Sequence, residues 1–116
     1  MTIETDFVST VGAFCGGRVY PDFAPHEVTA PFVTYQQVGG EVLQLLQGGA
    51  SVKRNARMQV NVWHTTRSGA NALMRQIEDA LQSSPFYAMP IGALIAEFDE
   101  VTQQRGAMQD FSLWWS

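Results

Sequence analysis

An α+β sandwich, with two helices on one face of a mainly antiparallel sheet of four to six strands, is the fold this residue pattern predicts. Three observations carry it. Apolar residues recur at helical spacing in two stretches, near residues 3–15 and 66–83. Residues 56–63 alternate apolar and polar side chains with period two. Other short runs rich in β-branched and aromatic residues lie between and after these. The order is therefore helix, strands, helix, two strands, which suits helices gathered on one side of a sheet. With 116 residues, 46% of them apolar, the chain makes a single domain over residues 1–116, enough for one core and too short for two.

The first helix places Ile3, Phe7, Val8, Val11, Phe14 and Cys15 on one stripe. Thr2 is its N-cap by residue type, Glu4 and Asp6 sit in the first turn, and Gly16-Gly17 supplies the stop. A short strand at residues 18–20 precedes a proline-framed connection from Pro21 to Pro31. Residues 32–38 read as a strand closed by Gly39-Gly40, and residues 42–46 as a further short one. Residues 47–55 lack an apolar period and read as a long hairpin loop. Thr66 or Ser68 caps the second helix, whose buried face is Ala70, Leu73, Met74, Ile77, Ala80 and Leu81, and Pro85 ends it. After an irregular stretch through Pro90, residues 94–101 and 108–115 make the last two strands. Residues 102–107, with Gly106, make the turn between them.

Composition narrows the function. Charged residues are 16% of the chain, against roughly 25% in an average globular protein. The net charge of −4 argues against a dedicated nucleic-acid binder. No apolar run is long enough to span a membrane, and the N-terminus lacks the pattern of a secretory signal, so a soluble, cytosolic domain is expected. A single cysteine, Cys15, excludes an internal disulfide framework and a cysteine-based zinc site. Polar positions are filled disproportionately by glutamine, ten in all. Neutral hydrogen-bonding groups lose less desolvation energy than charges when another protein covers them. With three tryptophans and ten other aromatics, the balance leans toward an assembling protein, although compositional drift produces the same counts.

A search for chemistry finds no catalytic constellation. His26 and His64 have no partner at metal-ligand spacing. Cys15 lies on the apolar stripe, where it serves as a small hydrophobe, and no serine sits in a Gly-x-Ser-x-Gly context. Glu97 and Asp99 share a strand face, a spacing that suits acid/base work or a divalent cation, but equally an edge strand charged against aberrant pairing. Neither glycine pair leads into a phosphate-binding motif. Lys53, Arg54 and Arg57 gather three of the seven basic residues near one loop. No catalytic residue, metal or cofactor is expected.

One succession is more specific. Gly17-Arg18-Val19-Tyr20-Pro21 leads to Ala24-Pro25 and Ala30-Pro31-Phe32-Val33-Thr34-Tyr35. A glycine-rich loop, Arg57-Met58-Gln59-Val60-Asn61-Val62-Trp63 and the helix from Ala70 to Leu81 follow. This order resembles the small tail completion, or tail terminator, proteins of long-tailed bacteriophages and prophages, and it covers nearly the whole chain. The resemblance implies a structural subunit without active site or cofactor. Such a subunit assembles in the host cytoplasm into a ring, commonly a hexamer, at the head-proximal end of the virion tail. Its partners would be other copies of itself, the tail tube protein and a head-completion or connector protein, with DNA passing through unbound and no membrane involved.

Within that reading the candidate interface residues are Lys53, Arg54 and Arg57, which would meet acidic partners, and two tryptophans. Trp63 falls on the polar face of the best strand beside Gln59 and Asn61. Trp114 and Trp115 alternate, so one of them leaves the core, and Trp114 is the candidate. Burial under a neighbouring loop is the competing expectation for each tryptophan, and Arg18 is expected to fix its loop by pairing with a carboxylate. Two other functions stay open: a small-ligand or metal-binding α+β enzyme domain using Glu97, Asp99 and a histidine, and a nucleic-acid module built on the basic cluster.

Overall fold

A computed structural model describes residues 3–40, 54–83 and 86–115. In chain order its elements are α1 (Ile3–Gly12), β1 (Val19–Pro21), β2 (Phe32–Gln37), β3 (Arg54–His64), α2 (Arg67–Leu81), β4 (Met89–Asp99) and β5 (Gln104–Trp115). The five strands form one sheet in the order β1-β2-β3-β5-β4. All pairings are antiparallel except β1 with β2. Both helices cover the same face, as the sequence predicts.

The strand β3 organises the rest. Its even-numbered residues Ala56, Met58, Val60 and Val62 are buried, and its odd-numbered residues are not. Pairing in register carries the alternation to both neighbours. Val33 and Tyr35 of β2 lie opposite Val62 and Val60, while Leu113, Phe111 and Ala107 of β5 lie opposite Ala56, Met58 and Val62. Onto this apolar face α2 lays Ala70, Leu73, Met74, Ile77 and Leu81, and α1 lays Phe7 and Val11. The Phe7 ring stands 4.9 Å from Tyr35 and 6.5 Å from Phe86, centroid to centroid. Burying one such side chain contributes about 1.5–3 kcal/mol.

Helix α2 starts where Thr66 accepts a hydrogen bond from the Gly69 amide at 3.0 Å, which settles the cap in favour of Thr66. Ala80, expected in the core, is only half-buried. Helix α1 stops at Gly12, a turn earlier than its apolar stripe suggests. The Gly17 amide closes back on the Gly12 carbonyl at 2.9 Å, with Gly16 and Gly17 at positive φ, and Phe14 is left exposed. Three boundaries differ further. Arg54 and Asn55 are strand, not loop, because β5 is long enough to pair with them. β4 begins at Met89, ahead of the expected 94, since an edge strand tolerates Pro90 and a bulge with Gly92 at φ 76°. Gln109 supports that bulge by donating to the Gly92 carbonyl at 3.0 Å.

The third difference is the hairpin. The β4–β5 turn spans residues 100–103, not 102–107, and Val101 is an exposed turn residue instead of a strand one. Asp99 sets this turn by accepting from the Val101 amide at 2.9 Å. Gly106 lies inside β5, directly opposite Trp63. The expected strand at 42–46, most of the loop at 47–55, and Thr2 and Pro85 lie outside the described residues.

Gly106 is where one missing side chain matters most. A Cβ there would approach the Trp63 ring to 2.8 Å and the Val62 carbonyl to 3.0 Å. Gly106→Ala should therefore destabilise the fold by about 1–3 kcal/mol, although alanine is ordinarily the better strand residue. Urea unfolding checks the sign, and tryptophan fluorescence should show the indole displaced.

Candidate assembly surface

The face of the sheet turned away from the helices carries the candidate residues. From β3 it takes Asn55, Arg57, Gln59, Asn61 and Trp63; from β2, Phe32, Thr34 and Gln36; from β5, Gly106, Met108, Asp110, Ser112 and Trp114. The face is polar but sparsely charged, and much of its polarity is spent internally. Arg57 Nε donates to Asp110 Oδ2 at 2.8 Å. Asn55 Nδ2 donates to Ser112 Oγ at 2.8 Å and to the Leu113 carbonyl at 3.0 Å. Of the basic candidates, Arg57 is thus held in a half-exposed cross-strand ion pair, Arg54 is exposed, and Lys53 lies outside the described residues.

The two tryptophans occupy the two ends of this face. Trp114 is half-buried opposite Asn55. Trp63, also half-buried, rests on the bare backbone of Gly106, and Glu97 of β4 is the next residue in that row. The connection from β1 to β2 folds over the Trp63 end. Asp22 and Glu27 in it take left-handed backbone conformations, and the Asp22 amide donates to the Tyr35 carbonyl at 2.8 Å. Arg18 anchors the connection by donating from Nε to the Pro31 carbonyl at 2.9 Å. That carbonyl replaces the carboxylate expected as its partner.

Between this connection, the open sheet face and the β4–β5 turn lies a trough of about 800 Å³. Phe32 and Thr34 are buried at its floor, Trp63 and Asn61 flank them, and Phe23 on the rim is 81% exposed. Asp22, Glu27 and Asp99 face it beside His26, and among the described residues no lysine or arginine does. The sequence reading passes over this feature, taking residues 21–31 as a connection only. Phe23, an aromatic isolated in a proline-framed polar loop, is the signal that points to it.

The residues proposed for chemistry are engaged separately. Asp99 holds the hairpin turn. His64 Nδ1 accepts from the Thr65 amide at 2.9 Å, and its ring packs where a side chain on Gly69 would stand, joining β3 to α2. His26 is exposed beside Glu27 at 3.7 Å. Among the described residues no group of three histidine, cysteine or acidic side chains is placed to hold a metal ion. Cys15 is buried, with its Sγ directed at the Val11 and Arg18 carbonyls, and burial pushes its thiol pKa up. That is the small-hydrophobe role.

A family model described as tail completion protein gp17 matches residues 8–114, nearly the whole chain. The chain belongs to this family. It is a structural phage tail protein of the completion class, a family generally without enzymatic activity, and membership implies contact with other tail or head components. Among curated proteins no relative matches the chain. For a tail completion protein, a sheet face that neither described helix covers leaves room for such a contact.

Glu97 is the one carboxylate here under visible stress. Its Oε2 is buried and finds no hydrogen-bond partner among the described residues, and desolvation raises its pKa. A raised folded-state pKa favours the protonated acid in the fold. Stability is then lost as pH rises from the unfolded value through the folded one, and below both values there is no effect. Glu97→Gln should accordingly stabilise the protein at pH 7, and the gain should fade toward pH 4. Thermal unfolding of both proteins across that range measures it.

Proposed function

We propose that this tail completion protein is a ring-forming subunit, a hexamer in the virion, that ends the tail tube at its head-proximal end and bears the surface to which the head docks. The observation that supports this reading is the sheet face that neither described helix covers, with a half-buried tryptophan near each end and few free charges among the described residues between. Trp63 and Trp114 stand eight strand positions apart by register, about 27 Å along the sheet. Partly exposed tryptophans are effective interface anchors because they bury a large area at small entropic cost. The glutamine-rich, weakly charged surface lowers the desolvation penalty of being covered.

In this reading the subunit meets its own copies, the tube protein and a head-completion protein, and assembly takes place in the host cytoplasm before the tail is joined. Trp63, Trp114, Arg54 and Lys53 make the contacts, and Arg57 shapes the strip through its ion pair with Asp110. DNA passes through the ring without specific binding, consistent with the net charge of −4, since like charges repel a sliding backbone.

Electron microscopy of particles made without this gene tests the role. Full heads with separate tails are expected, and overlong tails would mark it as the tube terminator. Normally joined particles would refute the role. Complementation with Lys53→Glu/Arg54→Glu should cut infectious yield at least tenfold while the unfolding midpoint of the purified protein stays unchanged. Trp114→Ala should behave likewise.

A further inference from the structure

The trough and the start of β3 present exposed groups of opposite charge near the two ends of one strand. Asp22, Glu27 and Asp99 face the trough, and the one basic side chain among its described lining is His26, 3.7 Å from Glu27. At the other end of β3, Arg54 is exposed and makes no ion pair among the described residues. The other arginines near the sheet are engaged. Arg18 holds the Pro31 carbonyl and Arg57 holds Asp110. Arg67 bridges the carbonyls of Gly106 and Glu97, and Arg105 stacks 4.2 Å over the Phe98 ring. Arg75 stands on the exposed side of α2.

Nine positions of extended strand separate Arg54 from Trp63, about 30 Å. No side chain spans that distance, so the two groups of one copy cannot neutralise each other. A second copy can bring them together.

We propose that the trough of one subunit receives the Arg54 end of β3 from the next, so that the two pair head to tail. This rests on the ring-forming reading and names the contact that would build the ring. Asp22, Glu27 and Asp99 supply the opposite charge, and the faces of Phe23 and Trp63 suit a guanidinium, which binds aromatic rings as well as carboxylates. The contact joins two different patches, so it is heterologous, and its repetition generates a closed ring when the rotation between copies closes. Trough-on-trough dimerisation is disfavoured, because it would confront two sets of carboxylates with no lysine or arginine among the described lining between them.

Crosslinking between two single-cysteine variants tests this. Thr29→Cys and Thr102→Cys are made at exposed positions facing the trough, and Val38→Cys at an exposed position beside Arg57, near the start of β3, so that every charge of the proposed contact is kept. Thr29→Cys and Val38→Cys copies are mixed, both as concentrated purified protein and as joined particles, and treated with a short bismaleimide. The native Cys15 is buried, so the unsubstituted protein is the blank. Dimers in the mixture and in the Thr102→Cys/Val38→Cys mixture, but in neither variant alone, are the expected result. Particles that contain the protein and join normally yet give no crosslink in either mixture would overturn the pairing, as would crosslinks in Thr29→Cys alone. The gene-deletion phenotype reads the tail-end role and the crosslink reads the contact. Joined deletion particles together with an intact crosslink sink only the role.

Discussion

The register between β3 and β5 is the constraint on which everything else depends. Eleven consecutive residue pairs, from Arg54 opposite Trp115 to His64 opposite Arg105, lock two strands whose side chains alternate between faces. A slip of one residue would carry Met58, Val60 and Val62 to the open face and bring Gln59, Asn61 and Trp63 under the helices. The core and the candidate assembly surface are thus two readings of one alternation. Trp63 sharpens it: a Cβ at Gly106 would meet its ring at 2.8 Å, so one of the two tryptophans on the open face doubles as a register mark.

Much of this was legible in the sequence because it is written in short-range periodicity. The alternation of β3, the stripe of α2 and the Thr66 cap are local patterns that the packing then respects. Where the pattern and the fold diverge, a neighbour supplies what the segment lacks. Met89 to Gly92 has proline and glycine where a strand signal is expected, but β5 offers it a partner and Gln109 catches its bulge. Arg54 and Asn55 carry no apolar period, yet β5 reaches far enough to pair with them. Gly106 looks like a turn residue to any local reading. Its role is to make room for a ring that belongs to another strand.

The site was less legible for a related reason. Alternation alone put Trp63 on the open face and required one of Trp114 and Trp115 to join it; the β3–β5 register puts Trp114 there. The trough could not, because it joins Asp22 and Glu27 from one loop with Asp99 and Thr102 from a hairpin more than seventy residues on. Arg57 was grouped with Lys53 and Arg54 by proximity in sequence. Its partner Asp110 arrives only through the β3–β5 pairing, which separates it from the basic group it was read with.

The exposed edge of the sheet carries a consequence for how such a subunit behaves before its partners reach it. Among the described residues β4 has no strand on its outer side and leaves Met89, Ile95 and Phe98 exposed, a combination that invites further strands to add on. Pro90 has no amide hydrogen to offer, and the bulge between Ile91 and Ile95 throws the ladder out of step. Only residues 95–99 remain straight, about 17 Å of template. An incoming strand therefore finds a single short foothold, and the same irregularity that hid the first residues of β4 from sequence pattern works against edge-to-edge pairing of waiting subunits.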